Sequence, residues 1–325
     1  MQLIIFWLII FVLSLFVLIK ASDYFTGSAE NIGINFGIPA FIVGVTIVAV
    51  GTSLPELITS IIAVFNNSSE IVVANVVGSN IANIFLVLAV AAIIGKKLKI
   101  DYNLVNVDLP LLIGSAFLLL LCVWDGKFTW LEGLLCIGAF LIYLFYSISI
   151  SKPTNKEKRD IVEEVKKDAK LHTGEEKVTW KTWGILILSI FFIYIGARYT
   201  IESVIALSEI LDIGKQVIAV SAVALGTSLP EFVVTISAAR RGNPEMAVGN
   251  VLGSNIFNAL IVMGVPSLFS GLIIPQDILL FSLPVMIIAT LMYYFVTQDK
   301  QITKWEGWML IIFYVLFIGK IFSIF

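Results

Sequence analysis

Long apolar stretches separated by short polar breaks dominate the chain of 325 residues. An apolar stretch of about 18 residues or more is a candidate membrane-spanning helix. A polar segment at 151–179 divides the stretches into two groups of five. The predicted spans lie near 2–20, 39–65, 71–95, 104–123 and 129–150, and near 182–207, 216–239, 245–270, 275–296 and 305–323. Residues 20–38, with Asp23 and Glu30, either extend the first helix or form a loop.

Composition supports a membrane protein with several spans. Hydrophobic residues make up 59% of the chain, charged residues 14%, and the mean hydropathy is +1.00. We therefore expect the lipid bilayer as a partner, and the net charge of −2 gives no indication of a nucleic-acid partner. Cys122 and Cys136 lie in apolar spans and His172 lies in the polar linker, so neither a disulfide nor a zinc site is indicated. We expect no cofactor.

Charge distribution predicts the orientation of the spans. Five spans in each half make the second half enter the membrane in the opposite sense to the first. If the linker 151–179 is cytoplasmic, 17 of the 21 lysines and arginines lie inside, and the remainder, Lys127, Arg198, Lys215 and Lys320, lie outside. Because basic residues favour the cytoplasmic side, this distribution predicts a cytoplasmic linker and both termini outside the cell membrane.

A polar hexapeptide occurs twice within these apolar stretches. Gly-Thr-Ser-Leu-Pro-Glu ends at Glu56 in the first group of spans and again at Glu231 in the second. Burying an ionisable side chain at membrane depth costs about 2.5–3.5 kcal/mol on insertion scales, so such residues usually mark a functional site. No basic residue lies nearby in sequence to neutralise either glutamate, and we interpret both as functional.

A second repeated motif follows each hexapeptide at the same distance. The segment from Asn75 to Asn83 matches the segment from Asn250 to Asn258, and the offset between these copies equals the offset between the two hexapeptides. Within the four motifs, polar residues are spaced i, i+4 and lie on one helical face. These pairs are Thr52 with Glu56, Ser79 with Asn83, Thr227 with Glu231, and Ser254 with Asn258. Oxygen is the ligand element that they offer, and it suits calcium, magnesium or sodium ions.

Each hexapeptide also contains a proline that can free a backbone oxygen. Pro55 has no N–H for the carbonyl of Gly51, and Pro230 has none for the carbonyl of Gly226. Irregular backbone at membrane depth occurs where it lines a cavity or is buried in protein. Glycine and serine in these motifs also have a simpler interpretation, because small residues allow helices to pack closely and hydroxyls can bond to their own helix.

These motifs resemble those of the sodium/calcium exchanger family, whose members are cation/calcium exchangers with two inverted repeats. The resemblance covers both five-span halves and implies an all-α membrane fold of ten helices, with broken helices at the midplane. The halves correspond to residues 1–150 and 180–325. It implies that Glu56 and Glu231 are shared calcium and sodium ligands. The other implied ligands are Thr52, Ser53, Ser79, Thr227, Ser228 and Ser254, the backbone carbonyls of Ala49 and Ala224, and the amides Asn83 and Asn258.

The resemblance predicts a secondary antiporter that exchanges sodium for calcium, and not an enzyme. Many members of the family carry an aspartate at the position of Asn258, so the site recognised here holds two carboxylates. A calcium/proton exchanger is the alternative, since a buried glutamate can hold a proton near neutral pH. A channel, or an intramembrane hydrolase using Ser53 or Ser228, is a further alternative, although no predicted span contains a histidine to serve as a base.

Overall fold

The computed structural model describes residues 2–65, 67–102, 108–150, 178–210, 215–322 and 324. Most of these residues form helices. In chain order the long helices are α1 (Gln2–Phe36), α2 (Ala40–Phe65), α3 (Glu70–Gly95), α4 (Asp108–Val123), α5 (Trp130–Ile150), α6 (Trp180–Ile210), α7 (Lys215–Arg240), α8 (Pro244–Ser267), α9 (Ile278–Thr297) and α10 (Lys304–Ile321).

Each predicted apolar span coincides with one of these helices. The first helix is longer than the apolar stretch 2–20 and continues through Asp23 and Glu30 to Phe36. Gly37 then adopts a positive φ of 66°, a conformation that favours glycine and commonly ends a helix. Most of the segment 20–38, up to Phe36, therefore extends α1, and the alternative of a loop is wrong. Residues 151–177 of the predicted linker lie outside the described residues.

The helices have the length and surface of membrane spans. In the described part of the chain, seven are long and apolar enough to cross a bilayer, namely α1, α2, α3, α5, α6, α8 and α9, and α4 is a shorter apolar helix. Large apolar side chains such as Leu121, Ile142 and Leu280 are exposed on the outer faces of these helices. Because a surface of this kind is stable in contact with lipid, the chain is a multi-pass membrane protein.

Helix α8 lies at the centre of the bundle and crosses α2 closely. Every residue from Met246 to Asn258 is buried. A Cβ atom added at Gly249 or Gly253 would collide with backbone atoms of α2, and one added at Gly44 would collide with the backbone of α8. Small residues at these positions therefore allow the two backbones to touch, as is common where membrane helices pack.

Helices α1 and α6 pack against each other and share a separate apolar cluster. Leu18 and Phe25 of α1 and Ile193 of α6 belong to this cluster, to which parts of α2, α7 and α8 also contribute. A Cβ atom at Gly196 would collide with the backbone of Leu18, so this glycine brings α6 against α1. The α1–α6 pair borders the main core and contacts the helices that carry the repeated motifs.

Two short antiparallel sheets join the halves of the chain at the helix ends. Strand β1 (Lys97–Lys99) pairs with β4 (Gln301–Thr303), and β2 (Lys127–Phe128) pairs with β3 (Leu272–Ile273). In the sequence repeat, β1 of the first half is equivalent to β3 of the second half, and β2 is nearly equivalent to β4. Each strand therefore pairs with the strand of the other half that is not its own equivalent.

The regular α-helical pattern is interrupted near the repeated motifs. Segments of π-helix begin at Asn83 in α3 and at Asn258 in α8, which are equivalent positions of the repeat. Helix α2 contains a π-helical segment at Gly44–Val48 and breaks at Ser53, between Ala49–Thr52 and Leu54–Phe65. Helix α7 continues through Pro230, so the break predicted near the second proline is not found. A proline removes one backbone hydrogen bond but can remain inside a helix that its neighbours support.

Candidate cation site

The two repeated glutamates lie together in the interior. Glu56 follows the break in α2 and Glu231 lies within α7, and each is 1% exposed. Their carboxyl groups are close enough to interact electrostatically. Ser53 Oγ donates a hydrogen bond to Glu231 Oε1 (2.8 Å), so the hydroxyl of the first hexapeptide contacts the carboxylate of the second. The structure thus brings together two motifs that are far apart in sequence.

Most carboxylate oxygens in this pair have no hydrogen-bond donor. Within the part of the chain that the structure describes, Glu56 Oε1, Glu56 Oε2 and Glu231 Oε2 are buried and have no hydrogen-bond partner. The described residues contain ion pairs at Arg198–Glu202 and Arg241–Glu30, and none at either buried glutamate. Burying a carboxylate without a partner is costly. These oxygens are therefore available to bind a positive ion.

Helices α3 and α8 add neutral oxygen atoms to the same region. Ser79, Asn83, Ser254 and Asn258 are all buried. Among the described residues, Asn83 Oδ1, Ser254 Oγ and both polar side-chain atoms of Asn258 have no hydrogen-bond partner. Their arrangement on helices that contact α2 and α7 supplies hydroxyl and amide oxygens beside the two carboxylates.

Hydrogen bonds connect the helices that carry the motifs. Asn75 Nδ2 donates to the backbone oxygen of Glu56 (3.4 Å) and so joins α3 to α2. Asn83 Nδ2 donates to Asn255 Oδ1 (3.4 Å) and joins α3 to α8. Thr52 Oγ1 lies 3.3 Å from Asn250 Oδ1 and joins α2 to α8. The polar centre is therefore shared by both halves.

The remaining predicted residues have different positions. Ser228 is buried, and its Oγ has no partner among the described residues. The backbone oxygen of Ala49 accepts from the N–H of Ser53 (3.0 Å). A Cβ atom at Gly51 would collide with the Phe25 ring, so this glycine allows α1 to pack closely. The side chains of Ala224 and Thr227 lie outside the described part of the structure. The backbone of α7 includes these two residues and Gly226.

Four polar residues in the interior were not predicted as part of the site. Asn75 Nδ2 donates to Ser60 Oγ (3.2 Å), and Asn250 Nδ2 donates to Thr235 Oγ1 (2.8 Å). The repeat contains the signal that could have identified them, because Asn75 is equivalent to Asn250 and Ser60 is equivalent to Thr235. The spacing between the two members is also the same in each pair.

The chemistry of the arrangement is that of a site for hard cations. Its ligand atoms are carboxylate, hydroxyl and amide oxygens, which suit calcium and sodium ions. The described residues contain no cluster of three or more histidine, cysteine, aspartate or glutamate side chains that could hold a metal ion. Two carboxylates can neutralise one divalent cation or two monovalent cations.

Comparison with known proteins agrees with this chemistry. The family model for the sodium/calcium exchanger protein matches residues 6–149 and 181–322. The sodium/calcium exchanger MaX1 of Methanosarcina acetivorans is 36% identical over 97% of this chain and 98% of its own length. The inner membrane protein YrbG of Escherichia coli is 27% identical over 80% of this chain and 78% of its own length.

A solved structure shares the fold. The sodium-calcium exchanger NCX_Mj, in crystals soaked with Na⁺ and Sr²⁺, has a TM-score of 0.80 and 29% sequence identity, and the match covers 97% of this chain and 98% of that protein. The fold, the repeated motifs and the family model therefore agree, and the chain belongs to the sodium/calcium exchanger protein family.

Proposed function

We propose that this protein is a secondary antiporter that exchanges sodium for calcium across the cell membrane. The observation that carries this proposal is the pair of buried carboxylates, Glu56 and Glu231, between the two halves of an apolar bundle. Three of their four oxygens have no hydrogen-bond partner among the described residues. Oxygen ligands suit both cations, and two negative charges offset the desolvation of a divalent ion. Membership of a transporter family favours ion exchange over the hydrolase alternative.

Sodium and calcium transport are coupled because the site cannot bind both kinds of ion at the same time. With both glutamates ionised, one Ca²⁺ or two Na⁺ bring the site to neutrality, whereas three Na⁺ leave a net charge of +1. Net charge in a low-dielectric interior is costly. A coupling ratio of two sodium ions per calcium ion is therefore given the same weight as a ratio of three. Alternating access to the two sides of the membrane then couples the two fluxes.

The ligand set proposed for the cations comprises side-chain and backbone oxygens. The carboxylates Glu56 and Glu231 bind both calcium and sodium, and the side-chain amides of Asn83 and Asn258 contribute further oxygen atoms. The further ligands are the hydroxyls of Thr52, Ser53, Ser79, Thr227, Ser228 and Ser254, and the backbone oxygens of Ala49, Gly51, Ala224 and Gly226. Burial of those residues whose side chains are described supports this set.

We also propose that all ten helices span the membrane as two inverted repeats of five, at 1–150 and 180–325. The pairing of the strands supports this count, because paired strands must lie on the same side of the membrane. Between β1 and β4 the chain passes through α4 to α9, and between β2 and β3 it passes through α5 to α8. Both numbers of crossings are even if every helix spans, as the pairing requires.

The proposed orientation places both termini outside and the linker 151–179 in the cytoplasm. The distribution of lysine and arginine supports it. Contacts at the helix ends agree with the same topology. The N–H of Ile273 donates to Ser69 Oγ (3.3 Å), which joins two loops on the proposed outer side, and the N–H of Tyr102 donates to Glu245 Oε1 (2.7 Å) on the proposed inner side.

Calcium uptake into proteoliposomes tests the proposed exchange. Purified protein is reconstituted into vesicles with an internal sodium load, and ⁴⁵Ca²⁺ uptake is measured after dilution into sodium-free medium. We expect uptake that requires internal sodium and collapses when the sodium gradient is removed by an ionophore. Uptake that is unchanged without sodium but follows an imposed pH gradient would instead indicate calcium/proton exchange. Uptake that needs no counter-ion would indicate a channel.

A further inference from the structure

Two hydrogen-bonded relays lie behind the candidate ligands, one in each half of the chain. In the first, Asn75 of α3 donates to Ser60 of α2 (3.2 Å), and in the second, Asn250 of α8 donates to Thr235 of α7 (2.8 Å). Both asparagines are buried, as are Ser60 and Thr235. The relays occupy equivalent positions of the repeat, so the same arrangement is built twice from different helices.

The other end of each asparagine contacts a candidate ligand. Asn250 Oδ1 lies 3.3 Å from Thr52 Oγ1, and Asn75 Oδ1 lies 3.5 Å from Ser79 Oγ. In both cases the hydroxyl is the donor and the amide oxygen is the acceptor, because a carboxamide oxygen has no proton to give. Each asparagine therefore lies between a hydroxyl that accepts from it and a candidate ligand hydroxyl that donates to it.

The direction of the hydroxyl proton matters for cation binding. A hydroxyl binds a cation through an oxygen lone pair, so its proton must point away from the ion. The Thr52 hydroxyl has two acceptors at 3.3 Å, the backbone oxygen of Ala49 and Asn250 Oδ1. A proton directed at Ala49 would occupy an oxygen that is itself a proposed ligand. A proton directed at Asn250 leaves both oxygens for the cation.

We propose that Asn75 and Asn250 are positioning residues that orient the hydroxyls of Ser79 and Thr52 toward the transported cation. Ser60 and Thr235 fix the amide groups, because an acceptor at Nδ2 keeps the other end of the carboxamide, Oδ1, directed at the ligand hydroxyl. Without that acceptor the amide can rotate and present its N–H groups to the site, where they compete for the hydroxyl lone pairs and repel a cation. This inference rests on the proposed exchange function.

Thr235 and Ser60 allow a test that leaves every candidate ligand unchanged. Thr235→Val keeps the shape of the side chain and removes its hydroxyl, whereas the matched control Thr235→Ser keeps the hydroxyl. The apparent KM for Ca²⁺, the kcat of sodium-dependent ⁴⁵Ca²⁺ uptake, and the thermal unfolding midpoint are measured for each variant. We expect Thr235→Val to raise KM by about fivefold, the effect of losing roughly one net buried hydrogen bond. Thr235→Ser should stay within about twofold of wild type.

A positioning role and a packing role give different results. We expect kcat of Thr235→Val to remain near wild type while KM rises. The unfolding midpoint should fall modestly, because Asn250 Nδ2 loses its buried acceptor, but the variant should remain folded at the assay temperature. An unchanged KM, or equal effects of the valine and serine variants, would overturn the proposal. If Thr235→Val does not fold, Ser60→Ala against wild type decides the question in the first half. The expected rise in KM is smaller there, because Asn75 Nδ2 keeps the backbone oxygen of Glu56 as a second acceptor (3.4 Å).

The same assay separates failure of this inference from failure of the exchange function. A wild-type protein that shows no sodium-dependent calcium uptake would contradict the exchange function itself. Active wild-type protein together with unaffected Thr235→Val and Ser60→Ala variants would contradict the relays alone.

Discussion

Glu56 and Glu231 lie inside an apolar bundle, and neither forms an ion pair within the described part of the chain. A neutral amide or hydroxyl would be a less costly choice for packing at this depth. The presence of a carboxylate at both equivalent positions, with Ser53 of one half bonded to Glu231 of the other, indicates one shared anionic centre. In the proposed function, the charge of this centre sets which cations the protein can carry.

We predict that Glu56→Gln and Glu231→Gln each abolish sodium-dependent calcium uptake. Glutamine keeps the shape of the side chain and loses the charge that offsets the desolvation of a divalent ion. The matched control is Glu70→Gln, because Glu70 is an exposed glutamate in the first turn of α3. Calcium uptake near the wild-type rate in either buried variant would remove these glutamates from the site.

The amide of Asn258 gives a prediction about pH. An amide has no proton to lose, whereas an aspartate at this buried position would share the site with two other carboxylates, and clustered carboxylates resist ionising together. We therefore expect exchange by Asn258→Asp to depend more steeply on pH than wild-type exchange between about pH 6 and pH 8. Rates of ⁴⁵Ca²⁺ uptake across this range test the comparison. A steeper profile in wild type would favour calcium/proton exchange.

The charged residues of the candidate site are evident in the sequence, whereas the residues proposed to orient its hydroxyls are not. The repeated hexapeptide and the cost of a buried charge single out Glu56 and Glu231. Thr235 and Ser60 resemble many small polar residues in membrane helices, and a lone hydroxyl has a local partner in its own helix. Their relation to Asn250 and Asn75 depends on contacts between helices, which the structure supplies.

At the scale of helices, periodicity predicted where the elements lie but not how they bend. Each of the ten apolar segments contains a long helix among the described residues. The charged residues within 20–38, however, did not allow the end of α1 to be predicted from sequence. The two copies of the hexapeptide also differ, since α2 breaks at Ser53 whereas α7 is continuous through Pro230. The same local sequence therefore adopts two backbone forms in different surroundings, a result that propensity cannot give.

The crossing of α2 and α8 gives a prediction about stability. A Cβ atom at Gly249 would collide with the backbone of Phe41, which cannot move aside as a flexible side chain could. We expect Gly249→Ala to destabilise the protein by about 1–3 kcal/mol, the usual cost of overpacking. The matched control is Gly114→Ala at an exposed position of α4. Thermal unfolding in detergent compares the two, and equal midpoints would show that the crossing tolerates a methyl group.

At the scale of the whole molecule, the strand pairs connect the halves of the chain. Strand β1 pairs with β4 and β2 with β3, so neither half completes its sheets alone. Hydrogen bonds across the centre, from Ser53 to Glu231 and from Thr52 to Asn250, add to these pairs and make the halves mutually dependent. The repeat was evident in the sequence, whereas the pairing of each half with the other was not.

Orientation in the membrane gives a prediction for intact cells. In a background without Cys122 and Cys136, a cysteine introduced by Thr173→Cys tests the linker, and the control Asp125→Cys tests the turn between α4 and β2. We expect an impermeant thiol reagent added outside to modify the Asp125→Cys protein and to leave the Thr173→Cys protein unmodified, since basic residues favour the cytoplasmic side. Modification of the linker cysteine from outside would reverse the proposed topology.

Competition between sodium and calcium for binding tests the central claim most directly, namely that both ions use one site built on Glu56 and Glu231. Isothermal titration of Ca²⁺ into purified protein is performed at increasing sodium concentrations, with wild type and both glutamine variants. We predict that sodium raises the apparent Kd for calcium without reducing the number of calcium ions bound at saturation, and that each variant loses calcium binding. An apparent Kd for calcium that does not change with sodium concentration would contradict a single shared site. Calcium binding that persists when both glutamates are replaced would also contradict it.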